Sequence, residues 1–312
     1  MPQGIYLFIL AHFLNEINIY RMTLLDGKKL ATQIKSEIKE KVLTRAAEGK
    51  KTPHLAAILV GENPASMAYV RNKVKSCEEV GFTSTLFKEP DTISENDLLH
   101  LVENLNNNPE IDGFIVQLPL PRHINEHLIT LSIKAEKDVD GFHPVNLGKM
   151  MLGLPCFLSA TPKGILEMLS RYDIPTKGKH VVVVGRSHIV GTPMSILLSR
   201  KGKQGDATVT LCHSYTQDLK SFTLQADILI AATGIPEFIT GDMVKPGAVV
   251  IDVGINRVED SSNPKGFRLT GDVHFPSVEP VSSYISPVPG GVGQLTVMAL
   301  IQNTLLAAER KD

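Results

Sequence analysis

The chain has 312 residues, 43% hydrophobic and 21% charged, which is ordinary for a globular protein large enough for two domains. Its 32 Lys and Arg residues nearly balance its 33 Asp and Glu residues, which argues against nucleic-acid or polybasic membrane partners. Three scattered cysteines, at positions 77, 156 and 212, argue against a disulfide framework and a structural zinc site. We therefore predict no nucleic-acid partner, no membrane partner and no metal.

Residues 1–21 read as an extension that is not part of the fold. Residues 5–14 are apolar apart from His12, but no Lys or Arg precedes them and no small-residue cleavage site follows. Ten residues are also too few to span a bilayer. A poor signal peptide is the alternative. We expect the fold to start near Met22 and the protein to be cytoplasmic.

Helical and strand patterns then alternate, which predicts an α/β fold with largely parallel sheets. In the first half of the chain, apolar residues at every fourth position from Leu30 to Val42 predict a helix. A strand over 55–60 and a helix ending at Gly81 follow. After them come a helix that Ser94 caps, running to about residue 105, and a strand over 111–118. These elements would form a first domain over residues 22–159, completed by the C-terminal segment 291–312.

A second domain is predicted over residues 160–290. Thr161 followed by Pro162 predicts a helix that Thr161 caps. The β-branched run over 180–184 predicts a strand buried on both faces. Further predicted elements are a helix over about 191–200, strands over 207–211, 228–231 and 249–253, and a helix over 295–308. The last helix carries a long apolar stripe, so we expect it to return to the first domain.

The run over residues 181–191 has the order strand, glycine-bearing turn, helix, as in a Rossmann-type dinucleotide site. The turn holds Gly185, Arg186 and Ser187 and ends at Gly191, so it does not match the GxGxxG fingerprint. The alternative is that these glycines merely permit a tight turn.

The strand that follows ends in His213 and Ser214. It lacks the carboxylate that usually binds the ribose of NAD. Arg186 and Ser214 could instead bind a 2′-phosphate, because a guanidinium matches phosphate geometry. This favours NADP over NAD, with His213 in a supporting role.

Tyr69 and Lys73 stand four residues apart on the helix after the first strand, so both side chains would point the same way. A phenol beside an amine can serve as an acid–base pair. The alternative is a solvated helix face. Cys77, four residues further on, reads as a small core residue rather than a nucleophile.

The ordered motifs of residues 22–310 resemble the bifunctional methylenetetrahydrofolate dehydrogenase/methenyltetrahydrofolate cyclohydrolase family (FolD). Each motif alone is weak, but the ordered set is specific. In chain order the set is VGENPAS at 60–66 followed by Tyr69 and Lys73, DGFIVQLPLP at 112–121, KDVDGF at 137–142, ATPKG at 160–164, GRSHIVGTP at 185–193, CHS at 212–214, VGIN at 253–256, GDV at 271–273 and PVPGGVG at 287–293.

The resemblance implies a role for each matching residue. Lys73 would be the catalytic residue, Tyr69 would position the folate ring, and Gln117 would bond Lys73 and help to set its protonation. Asp140 would hold the pterin nitrogens, since a carboxylate only accepts hydrogen bonds. Alternatively, Gln117 is a buried polar group bonded to backbone and Asp140 is a turn residue. Further implied substrate contacts are Leu118, Pro289, Gly290 and Gly291. Implied cofactor contacts are Thr161, Gly185, Arg186, Ser187, Ile189, His213, Ser214, Gly234 and Ile255.

The resemblance implies NADP-dependent oxidation of 5,10-methylenetetrahydrofolate to the 5,10-methenyl form, then hydrolysis to 10-formyltetrahydrofolate. It also implies a homodimer. The alternatives are a monofunctional NAD-dependent dehydrogenase and a non-catalytic folate- or nucleotide-binding protein. The chain departs from the family pattern at Met67, at Ser159-Ala160, at Gln294-Leu295 and in a longer loop over 201–205.

Overall fold

The computed structural model describes residues 22–311, so the predicted extension over 1–21 lies outside the described residues. The strands are β1 (Thr23–Leu24), β2 (His54–Val60), β3 (Thr83–Glu89), β4 (Gly113–Val116), β5 (His180–Val184), β6 (Thr208–Cys212), β7 (Ile228–Ala231), β8 (Val249–Asp252), β9 (Asn256–Glu259), β10 (Phe267–Thr270) and β11 (Tyr284–Ile285). The helices are α1 (Gly27–Ala47), α2 (Pro64–Val80), α3 (Glu95–Asn107), α4 (Glu126–Ser132), α5 (Pro144–Met151), α6 (Ala160–Arg171), α7 (Gly191–Ser199), α8 (Leu219–Thr223), α9 (Phe275–Val278) and α10 (Val292–Glu309).

The described strands form two parallel sheets and one hairpin. The smaller sheet has the order β3-β2-β4, and the larger has the order β1-β11-β8-β7-β5-β6. Strands β9 and β10 pair antiparallel. The predicted α/β fold with two parallel-sheet units is confirmed.

Strand β1 belongs to the larger sheet, although the predicted first domain includes its residues. Thr23 pairs with Tyr284 and Leu24 with Ile285. A two-residue strand has no periodicity, so its partner could not be read from the sequence pattern. Residues 23–24 therefore connect the larger sheet of the second unit to helix α1 of the first unit.

Helix α1 follows the predicted pattern. Its apolar stripe from Leu30 to Val42 is buried, and Asp26 caps its first turn by accepting a hydrogen bond from the Lys29 N–H at 3.0 Å. The stripe shares one core cluster with Met298, Ile301 and other buried residues of α10. The C-terminal helix thus returns to the first unit, as predicted.

Strand β5 is buried on both faces, as predicted. Val181 and Val183 point into the core cluster shared with α1 and α10, whereas Val182 and Val184 point into a separate cluster on the other side of the larger sheet. Such a strand positions its carboxyl end rigidly, which matters for the turn that follows it.

Two predicted elements differ in detail. Helix α6 begins at Ala160 after Ser159, so Thr161 is not its cap, and Ser159 Oγ donates to the Gly141 carbonyl at 3.0 Å instead of capping. Strand β4 covers Gly113–Val116 rather than 111–118, because the Ile111 N–H bonds the Asn108 carbonyl in a turn. Within residues 22–311, no helix is both long and apolar enough to cross a membrane.

Candidate active site

Lys73 brings the predicted catalytic residues together. It is 6% exposed on α2, and its Nζ lies 3.5 Å from Gln117 Oε1, 3.9 Å from Asp140 Oδ2 and 5.5 Å from the centroid of the Tyr69 ring. These polar distances are at or beyond the long end of the hydrogen-bonding range. The amino group therefore keeps the capacity to bond a further molecule.

Gln117 owes its orientation to the smaller sheet. It follows β4 directly, and its N–H bonds the Ile58 carbonyl of β2 at 2.9 Å. Its Nε2 donates to the Leu118 carbonyl at 2.7 Å, so Oε1 is the atom that faces Lys73. Parallel strands end at one edge of the sheet, which is why residues 44 positions apart meet here.

Asp140 lies on a loop that buried polar contacts hold in place. Asp138 Oδ2 accepts the His143 N–H at 2.7 Å, and Asn303 Nδ2 of α10 donates to the Val139 carbonyl at 2.8 Å. Burial raises the pKa of Asp138 above its usual range. The loop thus fixes Asp140 beside Lys73 from two sides.

Tyr69 lies between this polar group and the neighbouring cavity: its ring centroid is 5.5 Å from Lys73 Nζ, and the residue lines the cavity. Burial raises the pKa of its phenol, and the charge of Asp140 adds to the effect. The hydroxyl therefore stays protonated at neutral pH. The ring can pack against a flat ligand, while Lys73 and Asp140 bond that ligand's edge.

A cavity of about 780 Å³ lies next to Tyr69. It is lined by Pro289, Gly290 and Gly291 of the predicted substrate set and by Ile255 of the predicted cofactor set. Lys73, Gln117, Leu118 and Asp140 do not line this cavity; Leu118 packs on the core of the smaller sheet. Some of the predicted substrate-binding residues and one predicted cofactor-binding residue therefore line the same cleft.

The turn between β5 and α7 is tight. Gly185 has a φ of +120°, and a Cβ on Gly191 would lie 1.8 Å from the Gly185 carbonyl oxygen. Ser187 Oγ accepts the Val190 N–H at 3.1 Å, which supports the turn from within. Only a residue without a Cβ allows this close approach of helix to strand, a feature of dinucleotide-binding turns.

Arg186 is exposed beside this turn. Its Cζ lies 5.8 Å from the centroid of the Tyr215 ring, and it forms no ion pair within residues 22–311. Ser214 is exposed next to Tyr215, and His213 Nδ1 accepts the Tyr215 N–H at 3.2 Å. A guanidinium, a hydroxyl and an aromatic face suit a phosphorylated ribose and its base, so these residues fit NADP. The sequence pattern did not single out Tyr215.

The other predicted cofactor residues are spread along the same side of the larger sheet. Ile189 precedes α7, Gly234 follows β7 and Ile255 follows β8, and all three are exposed. Thr161 lies apart, inside α6, where its Oγ1 is 3.1 Å from Thr296 Oγ1 of α10. Its predicted place near a nicotinamide stays a prediction.

Sequence reasoning also gave no role to two buried carboxyl groups at this edge, Asp252 and Asp272, although Asp272 stands in the GDV motif at 271–273. The available signal was an acidic residue directly after an apolar run, as in residues 249–252.

Two further expectations concern Cys77 and metal ligands. Cys77 is fully buried and burial raises its pKa to about 12, which fits a core residue. Among residues 22–311, no three His, Cys, Asp or Glu residues are grouped to hold a metal.

The structure shows where two of the departures from the family pattern lie, Met67 and Gln294. Met67 packs against the main core cluster, so its apolar side chain suits the position. Gln294 is exposed and lines the cavity, where a proline would have stiffened the start of α10.

A Rossmann-type sheet joined across a cleft to a second parallel α/β unit defines a two-domain dinucleotide-binding protein. Comparison with family models narrows this class. Residues 25–140 match the catalytic domain, and residues 159–312 match the NAD(P)-binding domain, of tetrahydrofolate dehydrogenase/cyclohydrolase. The chain belongs to the tetrahydrofolate dehydrogenase/cyclohydrolase family.

Individual relatives agree. The chain is 58% identical over 291 residues to the bifunctional protein FolD of Flavobacterium johnsoniae, covering 93% of this chain and 99% of the relative. It is similar to the structure of the bifunctional FolD dehydrogenase/cyclohydrolase of Campylobacter jejuni, with 46% identity, a TM-score of 0.87 and coverage of 93% and 100%. The Trypanosoma brucei FolD structure, complexed with NADP cofactor and inhibitor, gives 36% identity, a TM-score of 0.88 and coverage of 93% and 98%.

Proposed function

We propose that this protein oxidises 5,10-methylenetetrahydrofolate to 5,10-methenyltetrahydrofolate with NADP and then hydrolyses the product to 10-formyltetrahydrofolate. These are steps of one-carbon metabolism that supply purine biosynthesis. One observation carries the proposal beyond family membership. The buried Lys73, with Gln117 and Asp140 around its Nζ, lies beside a cleft that also reaches Ile255 of the dinucleotide-binding unit.

In the first reaction the residues act by positioning. Bound NADP would supply the carbon that accepts the hydride. Tyr69 would pack against the folate ring, and Asp140 would accept hydrogen bonds from the pterin N–H groups. The loop with Pro289, Gly290 and Gly291 would close over the pair. Such alignment, with water excluded, is the main requirement of hydride transfer.

In the second reaction a proton must move. Water adds to the methenyl carbon, a carbon–nitrogen bond of the imidazoline ring breaks, and the formyl group stays on the other nitrogen. We assign the proton transfer to Lys73 Nζ, because its contacts to Gln117 and Asp140 are long enough to leave it available to substrate and water. Gln117 would orient this amino group.

The choice of NADP over NAD rests on Arg186 and Ser214. Strand β6 ends without a carboxylate, and Arg186 has no ion-pair partner in the described part of the chain. The 2′-phosphate of NADP would pair with this guanidinium and neutralise its charge. A homodimer and a cytoplasmic location are proposed from the family resemblance. The small-molecule substrate follows from family membership.

The substitution Lys73→Met tests the assignment of Lys73. Methionine fills a similar volume in the buried site, so the fold and NADP binding should persist while methenyl hydrolysis falls by at least about a hundredfold, within the range of general acid–base catalysis. Lys39→Met, at an exposed position of α1, is the control and should leave both reactions unchanged. Unimpaired hydrolysis in folded Lys73→Met protein would remove Lys73 from the mechanism.

A further inference from the structure

Two carboxyl groups are buried together at the carboxyl edge of the larger sheet. Asp252 ends β8 and is 4% exposed, and Asp272 follows β10 and is 0% exposed. Neither forms an ion pair within residues 22–311. Burying a carboxylate without a cation is costly unless hydrogen bonds replace its hydration. The hydrogen bonds that do so identify what the pair holds.

Asp272 holds the loop after β7. Its Oδ2 accepts the backbone N–H groups of Thr233 and Gly234, the latter at 2.9 Å. Its Oδ1 accepts the side-chain amide of Asn256 at 2.9 Å. One carboxyl group therefore connects the loop after β7 with the start of β9.

Asp252 holds the segments after β8 and β10. Its Oδ1 accepts the N–H groups of Gly254 at 3.0 Å and Asp272 at 2.8 Å, and its Oδ2 accepts that of Val273 at 3.0 Å. The Asp252 N–H itself donates to Ser286 Oγ at 2.8 Å. Burial raises the pKa of Asp252 to about 7, and the neighbouring charge of Asp272 adds to this effect.

The backbone is fitted closely around both groups. A Cβ on Gly271 would lie 1.7 Å from Asp252 Oδ2, and a Cβ on Gly254 would lie 2.1 Å from Asp272 Oδ1. Glycine at these two positions lets the chain pass against the carboxyl groups. The geometry is therefore a built arrangement of three loops around two side chains.

We propose that Asp252 and Asp272 are positioning residues for the dinucleotide, which hold the loops carrying Gly234 and Ile255 in their binding conformation. A parallel sheet binds its ligand outside the carboxyl ends of its strands, and these are the loops after β7 and β8. The inference rests on the proposed function, because it takes the dinucleotide to lie on these loops. It assigns a role to two residues that form no hydrogen bond or ion pair with the catalytic lysine; Asp252 also lines the cavity, whereas Asp272 does not.

The hydrogen-bond pattern predicts different responses to asparagine. In Asp272→Asn, the side-chain oxygen can still accept the N–H groups of Thr233 and Gly234. The new NH₂ group then points to Asn256, whose own side-chain amide can flip so that its oxygen accepts the bond. In Asp252, both carboxyl oxygens accept backbone N–H groups. In Asp252→Asn, the NH₂ group that replaces one of these oxygens therefore faces a backbone N–H donor in either orientation of the side chain. Asp272→Asn should be mild, whereas Asp252→Asn should resemble Asp272→Ala.

The experiment measures the Kd for NADP by titration calorimetry and, separately, methenyl hydrolysis without NADP. Asp272→Ala and Asp252→Asn should raise the Kd at least about tenfold, as expected for lost bonds to charged groups, while Asp272→Asn stays within about threefold. Hydrolysis should be unchanged in both Asp272 variants, because the Lys73 site lies on the other unit and Asp272 does not line the cavity. Asp252 does line it, so Asp252→Asn is judged by its Kd for NADP alone.

Two results would overturn the proposal: wild-type NADP affinity in folded Asp272→Ala, or hydrolysis in Asp272→Ala that falls in parallel with its NADP affinity. If Asp252→Asn does not fold, Asn256→Ala replaces it, since it removes one bond and keeps both carboxyl groups; it should raise the Kd by roughly threefold, and an unchanged Kd would count against the proposal. Failure of the proposed function would look different, because the wild-type protein would then lack hydride transfer and hydrolysis.

Discussion

Replacing Gly191 by alanine should separate the two activities. The new Cβ would lie 1.8 Å from the Gly185 carbonyl oxygen, whereas real Cβ atoms keep at least about 3.0 Å. Helix α7 and the turn after β5 must therefore part by about 1.2 Å or more, and every contacting atom is backbone. Such overpacking costs about 1–3 kcal/mol of strain in the original turn conformation. If NADP binds only that conformation, the cost appears as about a five- to 150-fold loss of affinity.

The assay compares NADP affinity, thermal stability and methenyl hydrolysis of Gly191→Ala with those of Gly148→Ala. Gly148 lies in α5, where an added methyl group would have no other atom within 4 Å, so alanine there should stabilise the protein by roughly 0.5–1 kcal/mol. We expect Gly191→Ala to lose NADP affinity and keep hydrolysis. Wild-type NADP affinity in Gly191→Ala would refute the reasoning, because the turn would not then be shaped for the dinucleotide.

Two further predictions concern buried groups. A thiol reagent at pH 8 should label the half-buried Cys156 in the native protein, whereas the buried Cys77 and Cys212 should react only on denaturation. Burial raises the pKa of all three thiols, so exposure decides the difference. Labelling of Cys77 in native protein would contradict its core position. Burial lowers the pKa of Lys163, which donates to Asn303, to about 8. The unfolded chain then binds more protons between pH 8 and 10.5, so the free energy of unfolding should rise by about 1–3 kcal/mol over that range. Denaturant titrations of Lys163→Met should show a smaller rise than those of the wild type, because burial also lowers the pKa of Lys137 to about 8 and that group still contributes. An equal rise in both proteins would exclude Lys163 as a source.

The regular elements could be predicted because their patterns are local. The four-residue spacing of apolar residues predicts α1, and the continuous run of β-branched residues predicts β5. Both sets of residues are buried as expected. The contact between Lys73 and Gln117 could be anticipated from the family motifs, since each follows a strand of one parallel sheet. Local pattern and tertiary structure agree at these residues.

The remainder depends on contacts that a local pattern does not encode. Ser159 precedes α6 but its hydroxyl bonds Gly141, a residue 18 positions away, so the Thr161 cap was the wrong prediction. The carboxyl group of Asp272 bonds backbone 38 positions earlier in the chain. Such roles arise only once the larger sheet has brought its loops together.

The most direct test of the central claim is an absorbance assay of the purified protein with 5,10-methylenetetrahydrofolate and either NADP or NAD. Methenyl product is read after acid quench, and its decay is followed in a separate run. The account predicts faster reduction of NADP than of NAD, together with methenyl decay that the protein accelerates. Reduction without accelerated decay would contradict the assignment of Lys73, and the absence of both in folded, NADP-binding protein would contradict the proposed function itself.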